Sequence, residues 1–390
     1  MARNYGNGSV YQTKTGQWRG KITLVDPITH QRLQEKTLYG KTEAEVKRKL
    51  RDFKNNALNY SSPVVAKANA YQYFRKWADE YKKHDVKVSS YDRIDSVLRL
   101  YLKDNFEAMQ LGDITPDKCN EIIVTLKDRG LSYSTVKKVY DAMHSCFQFA
   151  VERHELPYSP MQTVKMPKKD KFTTKRKDSE NARHLTESEE QIFFAELDRQ
   201  TASTKKYVYR YRDAFILDIN TGLRIGELIA LDWKDVNFQE KTISVHKTAV
   251  MIQNRDKNGE PVKGVSQIIQ ESPKTSKSIR TVTLNEKALA ALKRLKERAG
   301  NSPYVFPTQT GARLVMPSLE KQYGNVASHC DIKDTSFHSL RHTFATRLFE
   351  RGADVKDVST LLGHASISIT YNTYIHVIES RKSTITDLLN

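Results

Sequence analysis

Three short stretches near the amino terminus alternate apolar and polar residues, and Gly-, Asp- and Pro-containing turns separate them. The stretches are GSVYQT (8–13), QWRGKITLV (17–25) and RLQEKTLYG (32–40). This period of two predicts three antiparallel strands. Residues 41–58 change to a helical pattern, with Thr42 as the predicted N-cap and Glu45 completing a capping box. The pattern therefore predicts a small separate domain at residues 1–60.

Apolar residues at three- and four-residue spacing dominate residues 64–166, which predicts a helical bundle. The helical windows are AYQYFRKWADEYKK (70–83), YDRIDSVLRLYLKDNF (91–106), TPDKCNEIIVTLKDRG (115–130) and SYSTVKKVYDAMHSCFQFAVERHEL (132–156). Either Ser132 or Ser134 can cap the last of these helices. Periodicity alone assigns this domain no function.

From about residue 184 the chain mixes both periods. A helix is predicted after Thr186, with Glu189 completing its capping box. Strand-like windows are 241–250 and 276–284, with a turn-rich insert between them. Further helical windows are 285–299, 317–330, 336–352 and 354–362. The predicted fold class is a multidomain α+β chain: a three-stranded sheet with a helix, a helical bundle, and a mixed, mainly helical domain with a small antiparallel sheet.

Between these domains, residues 167–183 follow neither period and form a predicted linker. Seven basic residues lie between Lys165 and Lys177. A linker of this charge can also lie along the phosphates of a nucleic acid. The residues predicted to do so are Lys168, Lys169, Lys171, Lys175, Arg176 and Lys177.

The composition narrows the class of partner. The 390 residues include 64 basic and 46 acidic side chains, a net charge of +18, which favours nucleic acid first and an anionic membrane surface second. No apolar run has transmembrane length, and the polar amino terminus does not have the pattern of a signal peptide. Three widely spaced cysteines, with no CxxC pair, indicate ordinary thiols in a reducing compartment, neither zinc ligands nor disulfides.

The amino-terminal sheet is the most basic of the predicted domains, with 12 basic against 5 acidic residues in the first sixty. Strands can enter a DNA groove as helices do, so this sheet is a candidate DNA-binding surface. The side chains predicted to face the groove are Tyr11, Lys14, Trp18, Arg19 and Lys21. The alternative is a solvated basic sheet without a ligand.

Two windows could bind a phosphate. In TGLRIGELIALDW, Arg224 stands three residues before Glu227 among apolar residues, so the pair is predicted on one helix face, as an oriented cation or a structural ion pair. In FHSLRHTFATRLFERG, His338 and Arg341 lie near a predicted helix start, which suits an anion. His338 and His342 also have metal-ligand spacing, but the residue after the first histidine is a serine and not the glutamate of a metalloprotease helix.

A third window, ESPKTSKSIRTVTL, carries Lys274 at a turn before a strand, where a mobile lysine can donate a proton. Lys277 and Arg280 compete for that role. Near the carboxyl end, LLGHASISITYNTYIH contains Tyr371 and Tyr374, either of which could be a nucleophile or a packing residue. A tyrosine hydroxyl has a pKa of about 10, so it needs surrounding cations to attack a phosphodiester.

Four segments in this order, TGLRIGEL, PKTSKSIRTV, HSLRHTFAT and LLGHASISITYNTYIH, resemble the tyrosine recombinase (phage-type integrase) family of temperate phages and conjugative transposons. The resemblance covers residues 184–390 and extends more loosely to the amino-terminal parts. It implies an active-site set of Arg224, Lys274, His338, Arg341 and His364, with Glu227 supporting Arg224. In this family the nucleophile follows the Leu-Gly-His motif, and a histidine commonly stands two residues after it. The resemblance therefore implies Tyr374 rather than Tyr371 as the nucleophile.

The resemblance also implies domain roles and partners. Residues 1–60 would bind arm sites and 64–166 core sites, with 167–183 as the basic linker and 184–390 as the catalytic domain with its tail. The expected activity is integration and excision of a mobile element through a 3′-phosphotyrosyl intermediate and a four-way junction, by a homotetramer on double-stranded DNA. No cofactor or metal is expected. An excision factor and a DNA-bending protein are candidate partners, and the expected location is the bacterial cytoplasm, on DNA.

Two alternative functions remain open from the sequence. A type IB topoisomerase would share the chemistry without pairing two DNA sites. A non-catalytic regulator would use residues 354–370 as a helix-turn-helix-like pair. Separately, Ile385, Leu388 and Leu389 have helical spacing in the tail, which would dock on a neighbouring protomer or pack on its own domain.

Overall fold

The computed structural model describes residues 9–13, 16–25, 32–58, 67–172, 183–204, 206–257, 261–270 and 279–380. The chain divides into two compact units, Met1–Thr174 and Lys175–Asn390. Among the helices in these ranges, none combines the length and the apolar character that crossing a membrane requires. The multidomain α+β class predicted from the sequence is confirmed.

The amino-terminal sheet has the predicted order. It consists of β1 (Ser9–Gln12), β2 (Trp18–Val25) and β3 (Arg32–Gly40), paired antiparallel with β2 in the middle and followed by α1 (Glu43–Leu58). Buried Ile22, Val46 and Leu50 join the sheet to the helix. The Thr42 hydroxyl accepts the N–H of Glu45 as predicted, but the Glu45 carboxylate accepts the N–H of Lys41, so the predicted return bond to Thr42 is wrong.

The four predicted helices of the next domain are confirmed, each of the first two with a π-helical segment in its middle. They comprise α2 (Ala70–Lys76), the π segment Trp77–Lys82 and α3 (Lys83–Asp85); α4 (Val88–Val97), the π segment Leu98–Leu102 and α5 (Lys103–Phe106); α6 (Pro116–Asp128); and α7 (Tyr133–Glu152). Ser132, not Ser134, caps α7 by accepting the N–H of Thr135. The aromatic rings of Phe74, Phe106 and Phe147 pack together in the core.

The second unit contains the elements that position the candidate site. Its helices are α8 (Glu187–Leu197), α9 (Arg212–Thr221), α10 (Ile225–Ala230), α11 (Glu286–Ala299), α12 (Met316–His329), α13 (His338–Glu350), α14 (Val355–Leu362) and α15 (Ile367–Ser380). Both halves of the capping box predicted at Thr186 and Glu189 are present. Helix α9 was not predicted, because nearly all its residues are buried and it therefore lacks a polar face.

The strands of this unit differ from the prediction in two respects. A sheet is formed by β4 (Val236–Asn237), β5 (Thr242–Val245) and β8 (Arg280–Thr283), and a separate hairpin by β6 (Thr248–Arg255) and β7 (Pro261–Gln270). The window 241–250 breaks at Lys247, whose buried ammonium binds Asp232 and Asp235. The insert predicted to be turn-rich thus contains a paired hairpin. Its mostly part-exposed strands mix apolar and polar residues without the regular alternation that would have predicted them.

Gly222 ends α9 and turns the chain towards the candidate site. Its φ is +61°, a value that favours glycine, and a Cβ added here would lie 2.4 Å from the ring of Phe344. We therefore expect Gly222→Ala to lower the melting temperature of the full chain, with a backbone cost of about 1–3 kcal/mol plus the steric clash. Differential scanning calorimetry measures this. Gly311→Ala is the matched control, since Gly311 has φ of +82° but open space around it; an equal effect of both substitutions would contradict the clash.

Candidate active site

The candidate site begins at the junction of α9 and α10. Arg224 stands immediately before α10 in an extended conformation, with φ of −75° and ψ of 147°. The prediction that Arg224 and Glu227 lie on one helix face is therefore wrong, because Arg224 precedes the helix. The contact itself is present, because the Arg224 Nη1 donates to Oε1 of Glu227 at 2.8 Å and its backbone N–H donates to Oε2 at 2.9 Å.

Glu227 is a buried carboxylate held by two arginines. Besides Arg224, the Nη1 and Nη2 of Arg280 donate to its two oxygens at 3.1 and 2.8 Å. Burial by itself would raise the pKa of Glu227, but the hydrogen bonds and charge of Arg280, together with the charge of Arg224, outweigh it and hold this pKa at about 2. Glu227 is therefore ionised at neutral pH and compensates part of the positive charge around it.

Arg341 lies on the first turn of α13, with only 1% of the residue exposed. Its Nη1 donates to the carbonyl of Gly222 at 2.6 Å, and its Nη2 donates to the carbonyl of Leu362 at 2.7 Å. Burial, and then the nearby charge of Arg224, lower the pKa of Arg341 to about 9. The guanidinium still carries its charge at neutral pH, in a position where solvent screens it little.

Two histidines line the same region. Residue His338 begins α13 and is exposed, whereas His364 is half-buried after α14 and its Nδ1 lies 2.7 Å from the Thr370 hydroxyl. Desolvation, and then the charges of Arg341 and Arg224, lower the pKa of each histidine to about 4. Both rings are therefore neutral at pH 7, and each can donate one N–H to an anion.

Tyr374 is buried, with 3% of the residue exposed, beside this group. Its hydroxyl lies 2.7 Å from Nδ1 of His342, and its ring packs on Phe349 with centroids 5.3 Å apart. Burial raises the pKa of Tyr374 to about 12, and the positive charge of Arg341 opposes this effect. The backbone at Tyr374 departs from helical geometry, with φ of −117° and ψ of 16°, so α15 is kinked at this residue. Tyr371, one turn earlier, is only half-buried.

Sequence reasoning missed the role that His342 has in this arrangement, because it considered this residue only as a metal ligand. The ring of His342 lies 4.6 Å from that of His338 and 5.8 Å from that of Tyr374, measured between centroids. The four-residue spacing of the two histidines already placed them on one helix face. Within the described ranges, no group of three or more His, Cys, Asp or Glu side chains could hold a metal ion.

Several predicted site residues lie elsewhere or outside the described residues. Lys274 and its competitor Lys277 fall in residues 271–278, which are outside them, as are Lys14, Lys175, Arg176 and Lys177. The third candidate for the proton donor, Arg280, is bound to Glu227 with a side chain only 5% exposed. The remaining predicted DNA contacts belong to the first unit: Tyr11, Trp18, Arg19, Lys21, Lys168, Lys169 and Lys171.

On the amino-terminal sheet, Arg19 lies between two aromatic rings of neighbouring strands. Its guanidinium carbon is 6.0 Å from the ring centre of Tyr11 and 5.8 Å from that of Tyr39, and both rings are close to half exposed. Lys21 forms an ion pair with Glu35 at 2.8 Å. The sheet thus presents an exposed surface of aromatic and basic side chains.

The ionised Glu227 yields a stability prediction. Because its folded pKa of about 2 lies below its ordinary value of 4.5, the carboxylate stabilises the folded chain above about pH 4.5, and this contribution is lost as the pH falls towards 2. We expect Glu227→Gln to lower the free energy of unfolding by about 3 kcal/mol at pH 7, and by less at pH 3. Denaturant titrations at both pH values measure these free energies. The control is Glu286→Gln, at an exposed carboxylate. An equal loss of unfolding free energy at both pH values would contradict the role of the charge.

The chain matches two protein-family models. The model of the "Phage integrase family" matches residues 183–381, and that of the "Phage integrase, N-terminal SAM-like domain" matches residues 71–127. The chain is 29% identical over 374 residues to a "Tyrosine recombinase XerC-like" protein of Caldanaerobacter subterraneus, covering 92% of each chain. It is 25% identical to the ICEBs1 integrase of Bacillus subtilis, covering 98% of this chain and 99% of the relative.

Among solved structures, the chain is similar to the Tn1549 transposon integrase in complex with transposon right end DNA. The TM-score is 0.65 at 22% identity, covering 83% of this chain and 100% of the other. This likeness shows a shared fold. Since the family model spans more than half of the 390 residues, including the whole arginine, histidine and tyrosine cluster, the chain belongs to the phage integrase family and is a tyrosine recombinase.

Proposed function

We propose that this chain is a site-specific DNA recombinase that integrates and excises a mobile element, with Tyr374 as its nucleophile. The observation that carries the proposal is the position of the Tyr374 hydroxyl, 2.7 Å from His342, in the electrostatic field of Arg341. Two guanidinium groups and two neutral histidines surround the region into which a backbone phosphate would fit. This donor set stabilises the negative charge that develops on phosphoryl oxygens.

In the proposed reaction, Tyr374 attacks phosphorus, forming the Tyr–O–P bond while the bond to the 5′ oxygen breaks. Arg224 and Arg341 bind the non-bridging oxygens, and His338 and His364 donate hydrogen bonds to them. Lys274 gives its proton to the departing 5′ oxygen. The 3′-phosphotyrosyl bond keeps the energy of the broken phosphodiester, so the reverse attack by a 5′ hydroxyl rejoins the strand without a nucleotide.

The proton of Tyr374 must leave as the new bond forms, because a pKa of about 12 makes free phenolate rare at neutral pH. In the free chain the Tyr374 hydroxyl is hydrogen-bonded to Nδ1 of the neutral His342, and we propose that His342 takes this proton as the bond to phosphorus forms. Since Tyr374 is buried, attack also requires the hydroxyl to turn away from His342 towards the phosphate. The kink of α15 at Tyr374 is suited to this movement, because the residue is already outside the helical hydrogen-bond geometry.

We further propose that the amino-terminal parts place the catalytic domain on its DNA. Residues 1–60 would bind arm sites through Tyr11, Lys14, Trp18, Arg19 and Lys21. The helical domain, residues 64–166, would bind core sites, and the basic linker, residues 167–183, would follow the phosphates. The positive charge of residues 1–60 and of the linker supports their proposed roles.

Exchange between two duplexes cuts four strands, so the proposed active assembly is a tetramer on a four-way junction. The tail residues Ile385, Leu388 and Leu389, which lie outside the described residues, are the segment we propose to join neighbouring protomers. An excision factor and a DNA-bending protein are the proposed accessory partners, and the proposed location is the bacterial cytoplasm.

Substitution of the nucleophile tests the proposal directly. We expect Tyr374→Phe to abolish the covalent complex with a nicked duplex that carries the attachment site, while DNA affinity stays unchanged, because only the hydroxyl is lost. Tyr371→Phe is the matched control and should retain covalent complex formation. Denaturing gels of end-labelled DNA measure both, and protein attached to a 5′ end instead of a 3′ end would refute the assignment. Supercoil relaxation without recombinants would indicate a topoisomerase.

The lowered pKa values of His338 and His364 predict that DNA binding takes up protons. Each pKa is about 4 in the free chain, and a bound phosphate raises it by adding negative charge. The bound state then holds more protons, so affinity should rise as the pH falls from 7 towards 5. Calorimetry at pH 5.5 in buffers of different ionisation enthalpy measures the uptake. The double substitution of both histidines by glutamine should reduce it, whereas exposed His329→Gln should not; equal uptake in all three proteins would exclude these histidines.

A further inference from the structure

Three guanidinium groups from separate segments meet three consecutive backbone carbonyls at the end of α14. The Nε of Arg280 donates to Leu361 at 2.7 Å, the Nη2 of Arg341 to Leu362 at 2.7 Å, and the Nη2 of Arg224 to Gly363 at 3.2 Å. The last carbonyls of a helix lack partners within the helix and form the negative end of its dipole. This carbonyl row (Leu361, Leu362 and Gly363) therefore holds three cations together before any phosphate is present.

Arg280 differs from Arg224 in how much of its side chain a ligand could reach. All three of its side-chain nitrogens donate to Glu227 or to the carbonyl row, and its side chain is only 5% exposed. The side chain of Arg224, by contrast, is 38% exposed beside the same carboxylate. Arg280 is therefore placed to act on Glu227 and on the end of α14.

The turn after α14 is shaped around the Arg280 guanidinium. Gly363 ends the helix with φ of +64°, and a Cβ added there would lie 3.0–3.2 Å from the Nη1, Cδ and Cζ atoms of Arg280. A side chain at this position would therefore displace the guanidinium as well as strain the backbone. The next residue is His364, so the same turn also sets where that ring enters the site.

We propose that Arg280 is a positioning residue that clamps Glu227 to the carbonyl row, and so fixes the spacing of the phosphate-binding pair Arg224 and Arg341. This inference rests on the proposed function and adds a residue to it. Arg280 is also the first residue of β8, six positions after Lys274 in the sequence. The clamp therefore anchors the point at which the segment carrying the proposed proton donor rejoins the sheet.

The clamp has an electrostatic signature that a merely structural ion pair would lack. Arg224 and Arg280 donate hydrogen bonds to Glu227 directly. Arg341, His338 and Asp218 lie close enough to interact with it electrostatically. Without Arg280, the pKa of Glu227 would rise from about 2, because burial raises it and the largest effect that opposes burial would be lost. A protonated Glu227 no longer orients Arg224, so cleavage should become sensitive to acid.

The test compares Arg280→Gln and Arg280→Lys with the full-length wild-type chain, in single-turnover cleavage of the nicked duplex between pH 5 and 8. We expect Arg280→Gln to retain DNA affinity but to cleave about 10²-fold more slowly at pH 7, as expected for misplaced binding groups. Its rate relative to wild type should fall further as the pH decreases. Arg280→Lys keeps the charge but loses the two-pronged contact, so it should cleave at an intermediate rate with the wild-type pH profile.

Two controls separate positioning from general stability. Arg313 also joins a carboxylate, Asp232, to helix-end carbonyls at Ile229 and Leu231, outside the phosphate-binding group. Arg313→Gln should lower the melting temperature and leave the pH profile unchanged. In a Glu227→Gln background, Arg280→Gln should add little further loss of rate, because the clamp is already broken.

A wild-type cleavage rate in Arg280→Gln would overturn the inference. So would a slow rate with the wild-type pH profile, if the loss of rate adds fully to the loss caused by Glu227→Gln. If Arg280→Gln does not fold, the cleavage rate of Arg280→Lys tests the inference instead. A wild-type rate in that variant would exclude a geometric role for Arg280. Failure of the proposed function is a separate outcome, because the wild-type chain itself would then form no covalent complex.

Discussion

The site depends on one physical constraint, which is that several positive charges are held together in a partly dry region before their anionic ligand is present. Arg341 is almost fully buried, and Arg224 and Arg280 share the buried Glu227. Uncompensated burial of these charges would be costly. One carboxylate and the negative end of α14 offset the cost, so the fold itself supplies a substitute for part of the phosphate's charge.

This concentration of charge determines the state of the neighbouring groups. His338, His342 and His364 all have lowered pKa values and are neutral at pH 7, so they act as hydrogen-bonding groups and not as further cations. Tyr374 shares the same region but keeps its proton, because burial outweighs the pull of Arg341. In the proposed function, the free chain thus combines a prepared phosphate site with a nucleophile that keeps its proton until DNA is bound.

Local signals were enough to predict much of the fold. The apolar period predicted α6, and predicted caps added α7 and α8, because these signals join residues three or four positions apart. Helix α9 was not predicted, because a helix that is buried on all sides has no polar face. The hairpin of β6 and β7 was not predicted, because its partly buried strands mix apolar and polar residues without a regular alternation.

By itself the sequence determined the residue types of the site, their order along the chain and the family to which they belong, since those depend on side-chain identity and spacing. Only the tertiary structure decided that Arg224 precedes its helix, that His342 faces Tyr374, and that Arg280 joins Glu227 to the end of α14. The physical reason is that the decisive acceptors are backbone carbonyls and distant side chains. Every residue carries a carbonyl, so nothing in the order of side chains shows which carbonyl will meet a guanidinium.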